Sequence, residues 1–122
     1  MIQVKVTLDK AWAADYLKDR GHACEVEGML VMAAEENGEY VGCGVISIEP
    51  DSARIHALCC EDGVGYLVGK ALLNLVDNAG IGMVYCDIKK IDGLLTQLGF
   101  KPCDKGHELS LDGYFESNCN GQ

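Results

Sequence analysis

The stretch from Ala57 to Gly80 constrains this chain more tightly than any other. An apolar strand pattern, Ile55 to Cys60, breaks at Glu61-Asp62-Gly63-Val64-Gly65. It resumes with Leu67, Val68, Ala71, Leu72, Leu75 and Val76, spaced at the helical steps of three and four. A strand that feeds a helix through a glycine turn points the helix N-terminus at whatever lies beyond the strand end. The first N–H groups of that helix lack partners within it, and the helix dipole is positive there, so the turn suits an anion. Gly63, Gly65 and Gly69 carry no Cβ and would let a phosphate approach the backbone. Read without a ligand, the same pattern is an ordinary strand-turn-helix connection.

With 122 residues the chain fits one domain and can bury a core without disulfides or metals. Its net charge of −9 argues against nucleic acid and against anionic membrane surfaces, both of which call for clustered Lys and Arg. No secretory leader and no membrane-length apolar run stand out, so a cytoplasmic location is expected. The seven cysteines include no CxxC pair, and no metal-ligand spacing occurs. Most of them fall in apolar strand patterns and read as small core hydrophobes, with Cys59 and Cys60 on opposite faces of one strand.

Ile2 to Leu8 alternates and reads as a half-buried strand. Asp9 caps a helix over Ala11 to Arg20, which carries Trp12 and Tyr16 on one face and stops at Gly21. Glu25 to Gly28 reads as a loop. Leu30 to Glu35 and Tyr40 to Ile48 are strands joined by Asn37-Gly38, a strong hairpin signal. Gly42 and Gly44 inside the second of these imply a bulge or a close backbone neighbour. Ala53 to Cys60 follows, antiparallel to it. After the glycine turn and its helix come a strand over Gly82 to Ile88, a short helix from Lys90 to Leu98 ended by Gly99, and a last strand from His107 to Phe115 with Asp112-Gly113 as a bulge or bend. Ser117 to Gln122 reads as a loose tail, leaving 1–116 as the domain. The order β-α-β-β-β-α-β-α-β makes a single-domain mixed-sheet α/β fold.

Three segments of this pattern resemble the GNAT superfamily of N-acetyltransferases. Ala57 to Asp62 stands where that family ends its fourth strand, Val68-Gly69-Lys70-Ala71-Leu72-Leu73 resembles its acetyl-CoA helix, and Leu98-Gly99-Phe100 resembles its "LGF". The resemblance spans Leu30 to Phe115. It implies acetyl-CoA as co-substrate, with the pyrophosphate on backbone N–H groups of an R/Q-x-x-G-x-G/A turn. In one register Val64 takes the Arg/Gln place, Leu67 the first Gly place and Gly69 the last; in another, Tyr66, Gly69 and Ala71 do; Gly63-Val64-Gly65 gives a third. None supplies the basic residue. The implied cofactor-binding set runs from Leu58, Cys59 and Cys60 through Gly63, Val64, Gly65, Tyr66 and Leu67 to Val68, Gly69 and Lys70. It also implies that a backbone N–H near Cys59 or Cys60 polarises the thioester, and that the strand splays from its neighbour beyond that point. By the same resemblance the acetyl group lies between the ends of Ala57–Cys60 and Val84–Ile88, and copies pair through the late strand from Glu108 to Phe115.

Direct acetyl transfer to an amine needs a base for the ammonium proton, a donor for the oxyanion and an acid for the thiolate. The family's tyrosine, five residues before the "GF" phenylalanine, is Leu95 here. Tyr85 and Tyr114 are substitutes by residue type. Glu61 at the strand end, His56 within the strand and Glu49 are the candidate bases. Cys60, near a helix N-terminus, is a candidate for a lowered thiol pKa. Gly69→Glu is expected to abolish CoA binding with little loss of folding. Two functions follow: transfer of acetyl from acetyl-CoA to a small-molecule or peptide amine, or a non-catalytic relative that binds CoA, another ligand or a protein. Nothing in Asp19 to Gly28, or after Phe100, encodes the identity of the amine.

Overall fold

A computed structural model of the chain describes residues 1–115; the expected tail and Cys119 lie outside them. The chain runs β1 (Ile2–Thr7), α1 (Lys10–Asp19), β2 (Leu30–Glu36), β3 (Glu39–Ile48), β4 (Ala53–Cys60), α2 (Gly65–Asn78), β5 (Met83–Cys86), a 3₁₀ turn (Lys89–Ile91), α3 (Asp92–Leu98), β6 (Lys101–Cys103) and β7 (Gly106–Ser110). One sheet holds all seven strands in the order β1-β2-β3-β4-β5-β7-β6. Only β4 and β5 are parallel, as their helical crossover requires.

Local chemistry explains the first half. Asp9 Oδ1 accepts from the Trp12 N–H at 3.0 Å and starts α1. Asn37 and Gly38, at φ 54° and 84°, give the tight turn between β2 and β3. Apolar residues then sort by face. Val68, Leu72, Leu73 and Val76 of α2 pack with Leu95 and Leu98 of α3 against Met32, Ile46, Ile55 and Leu58. On the opposite face, Ala13, Tyr16 and Leu17 of α1 cover Val31, Cys43, Val45 and Ala57. Cys59 packs with the second cluster and Cys60 with the first, on opposite faces as expected.

Gly42 and Gly44 let other groups approach the sheet. A Cβ at Gly42 would lie 2.8 Å from Cys60 Sγ, and one at Gly44 would lie 2.8 Å from Leu72 Cδ1. The register between β2 and β3 also slips after Ala34, so the expected bulge is present beside these glycines.

The second half departs from the expectation. A seventh strand, β6, forms a hairpin with β7. It has three residues and includes Pro102, which has no N–H and suits an edge, so no alternating pattern reveals it. The last strand ends at Ser110, not Phe115; a turn follows, with the Tyr114 N–H donating to the Leu111 carbonyl. β7 is paired on both sides, with β5 and β6. The expected pairing of copies through Glu108 to Phe115 therefore has no free strand edge there. The edges of the described sheet are β1 and β6.

Candidate functional site

The centre of the site is a slip in register on β4. Val45 pairs with Ala57 but Ile46 pairs with Ile55, so His56 is an extra residue on β4. That bulge turns Ile55 toward α2 and Ala57 toward α1. His56 itself is half-buried, with Nε2 2.8 Å from Ser47 Oγ on the neighbouring strand. Burial, then the nearby Arg54 charge, pushes its pKa below the usual histidine value, so the ring is neutral at pH 7.

β4 and β5 also part at the bulge. They pair only through Ala53↔Val84, Arg54↔Tyr85 and Ile55↔Cys86. From Ala57 to Cys60 the strand stays bonded to β3, while no strand among the described residues pairs with its other edge. The opening thus begins at His56, earlier than the Cys59–Cys60 position expected. Backbone donors of Ala57–Cys60 on the β5 side are left for something other than a strand.

Beyond Cys60 the chain turns tightly. The Glu61 N–H donates to the Val41 carbonyl at 2.9 Å and the Val64 N–H to the Glu61 carbonyl at 3.0 Å. α2 begins at Gly65 with no side-chain cap, which leaves its first N–H groups to the solvent or a ligand. A cleft of about 390 Å³ lies here, lined by Leu58 and Cys60 of β4, Gly63, Gly65 and Tyr66 of the turn, and Leu94 of α3. A smaller cleft adjoins it through Leu58, Cys60 and Ile91, and adds Cys59, Arg20 and Lys90.

The expected cofactor residues therefore divide. Leu58, Cys59, Cys60, Gly63, Gly65 and Tyr66 line the clefts. Val64 and Val68 are buried in the core, and Leu67 faces outward. Gly69 is also buried, and its missing Cβ leaves room for α3 rather than for phosphate: a Cβ would lie 2.6 Å from Leu98 Cδ1, and one on Gly65 would lie 2.8 Å from Leu94 Cδ2. Only Gly63, of the three turn glycines, is open on that side. The Lys70 ammonium lies 4.5 Å from the Tyr114 ring centre, 5.5 Å from that of Phe115 and 5.7 Å from that of Tyr66, so an aromatic cage holds it.

The catalytic candidates are not brought together. Tyr85 lies opposite Arg54, at the closed end of the opening, with Lys105 4.8 Å from its ring centre. Arg54 and Cys60 are six residues apart, about 20 Å along a strand, so Tyr85 and Glu61 sit at opposite ends of β4. Glu61 is exposed at the mouth of the larger cleft, and Glu49 is exposed beyond β3. The Tyr114 hydroxyl is engaged by the Leu98 carbonyl at 2.6 Å. Burial pushes the Cys60 thiol up to about 11, which overturns the expectation of a reactive thiolate there. Leu95 is fully buried. Among the described residues no group of three or more His, Cys, Asp or Glu side chains is placed to hold a metal ion.

Two features escaped the sequence. The Tyr16 hydroxyl on α1 is buried without a hydrogen-bond partner, and burial raises its pKa. A third cavity, of about 800 Å³, gathers titratable residues from β4, from the segment after β5, from α3, and from the β6–β7 turn with the start of β7, at the level of the bulge. Those residues lie far apart in the chain and carry no common spacing, so only the fold unites them.

No family model matches this chain. A glutamate 5-kinase from Chromobacterium violaceum is 32% identical over 65 residues, covering 53% of this chain; the chain spans 18% of that protein's length. Solved structures match far more of it. A putative acetyltransferase from Exiguobacterium superposes with a TM-score of 0.70 at 14% identity, covering 97% of this chain and 99% of that one. A putative acetyltransferase of the GNAT family from Desulfovibrio desulfuricans gives 0.72 at 10% identity, covering 91% and 99%. A GNAT family acetyltransferase from Elizabethkingia anophelis with acetyl-CoA bound gives 0.65 at 15% identity, covering 84% and 78%. At these identities the likeness is one of fold.

Proposed function

We propose that this chain, which has the fold of the GNAT acetyltransferases, transfers the acetyl group of acetyl-CoA directly to an amine. The observation that carries the reading is the parting of β4 from β5 at His56, which leaves the edge of Ala57–Cys60 unpaired beside the start of α2. That edge can hold a thioester carbonyl by its N–H groups, and the open α2 terminus can hold phosphate. The Leu58, Cys60, Ile91 and Leu94 walls suit the less polar arm between them. A similar fold with acetyl-CoA bound supports acetyl-CoA as the co-substrate.

Acetyl-CoA supplies an acetyl group activated as a thioester. The chain must deprotonate the amine and orient it. His56 is the base best placed: it is neutral, it sits at the vertex of the opening, and Ser47 fixes its ring. In the tautomer whose Nε2–H donates to Ser47 Oγ, Nδ1 is left to accept the ammonium proton. The amine nitrogen would then bond the acetyl carbon as the carbon–sulfur bond breaks, and the nitrogen's second proton would pass, through solvent, to the leaving thiolate. Glu61 remains a second proton acceptor at the cleft mouth. No helix of the described residues is long and apolar enough to cross a membrane, and the proposed reaction belongs in the cytoplasm.

Calorimetric titration of the reduced protein with acetyl-CoA, against desulfo-CoA and adenosine, tests the reading. Binding that requires the pyrophosphate is expected. Absence of binding overturns transfer and favours the non-catalytic alternative, to which the buried Leu95 and Val64 at two family positions already point.

A further inference from the structure

The large cavity beside the bulge offers charges of both signs. Arg54, Lys89 and Lys105 bring cationic groups to its wall. Asp87 and Asp104 bring carboxylates. None of these five lies within 4 Å of an opposite charge: among the described residues the sole such contact between titratable groups is His107 Nε2 to Asp92 Oδ1, at 3.6 Å. Opposite charges that line one concavity without neutralising one another remain available to a ligand that carries both.

Their order along the wall is set by the backbone. Ile55 pairs with Cys86 in parallel register, which carries the next residues, His56 and Asp87, to the same level at the vertex of the opening. Gly106 closes the opposite side: at φ 105° it approaches so near that a Cβ would lie 2.7 Å from Asp87 Cα. Lys105, next to it, and Arg54 flank the Tyr85 ring, with the cationic groups 4.8 and 5.9 Å from its centre. The charges of Asp87 and Arg54 both reach the proposed base, and Lys105 joins Arg54 at the Tyr85 ring, so a carboxylate and two cations stand side by side at the vertex.

We infer that this cavity is the acceptor site and that its acceptor is a free α-amino acid, bound as the zwitterion. The ammonium group meets Asp87 beside His56, facing the unpaired edge of β4. The carboxylate meets Lys105 and Arg54. A cation such as a polyamine would leave Lys105 and Arg54 opposed to it, and a blocked peptide end would leave them without a partner. The inference rests on the transfer reading, but the binding it requires is measurable without acetyl-CoA.

The experiment is a titration of the full chain with each standard α-amino acid singly, followed by the imidazole NMR signals of His56 and His107. At least one amino acid should shift both signals. Its amide and its deaminated acid should bind about tenfold more weakly or worse, because each leaves one charged wall unmatched. Lys105→Met, on an exposed turn, should weaken that amino acid by a similar factor and leave acetyl-CoA affinity unchanged. If no amino acid moves the two signals, or if the amide binds as tightly as the acid, the inference is overturned. If acetyl-CoA binds while no amino acid does, transfer survives and this acceptor class falls. If an amino acid binds while acetyl-CoA does not, the cavity stands as a binding site and the assignment as an acceptor site falls.

Discussion

At the scale of single residues, His56 and Gly69 show how neighbours decide a role. His56 is faced by Ser47, Arg54, Asp87 and Glu49. Burial and Arg54 disfavour its charged form more than the two carboxylates favour it, so its folded pKa lies below 6.5. Two consequences have the same sign. Activity that depends on neutral His56 should rise with pH through that lowered pKa and stay level above it. Stability should be fully present above 6.5 and fall as pH drops toward the folded pKa, because the unfolded chain binds the proton first. His56→Gln should remove that slope from a set of Tm values taken across the window and should lower the rate about a hundredfold or more. Gly69 tests the opposite case. The expectation that Gly69→Glu would spare folding fails on the Leu98 contact. A carboxylate placed against the buried Leu98 should cost about 3 kcal/mol or more, read as a large drop in Tm, whatever acetyl-CoA does.

At the scale of elements, α2 and α3 dock through small residues on one and leucines on the other. Gly65 and Gly69 are one turn apart, as are Leu94 and Leu98, and each glycine receives one leucine. Leu98→Ala should cost about 2–4 kcal/mol by leaving a cavity, and Gly69→Ala a smaller amount by crowding, partly offset by the better helix propensity of alanine. In the double variant the new methyl fills part of the space that Leu98 vacates. Denaturant unfolding should therefore find the pair less destabilised than the sum by about 0.5 kcal/mol or more. This docking also marks what a sequence can reveal. Ala53–Cys60, the Asn37-Gly38 turn and the periodic face of α2 were legible because each signal is local. The spacing that placed α2 said nothing of what its glycines face, since Leu94 and Leu98 each lie 29 residues beyond the glycine they meet. The bulge at His56 is a relation between two strands, and β6 is too short to carry a period. The acceptor cavity draws on residues from four parts of the chain, so its parts were visible singly and their meeting was not.

At the scale of the whole molecule, the charge of −9 opposes the ligand proposed for it. Acetyl-CoA is an anion, and the turn that should receive its phosphates carries Glu61 and Asp62 and no basic residue. Lys70, the nearest cation along α2, is held by aromatic rings. Binding must then come from backbone donors and from the apolar walls, against a repulsive field. Salt decides between this picture and a basic phosphate site. Raising ionic strength from about 0.01 to 0.15 M shortens the screening length from about 30 to 8 Å. For a site built on lysines or arginines, affinity falls over that range. Here screening weakens repulsion instead, so calorimetric affinity for acetyl-CoA should rise with salt, and Glu61→Gln with Asp62→Asn should raise it at low salt while flattening the dependence. Both residues are exposed, so the double variant should keep its fold. A fall in affinity with salt would mean that cations, such as Arg20 and Lys90 around the smaller cleft, carry the phosphates, and the coenzyme would then have to be placed on that side of β4.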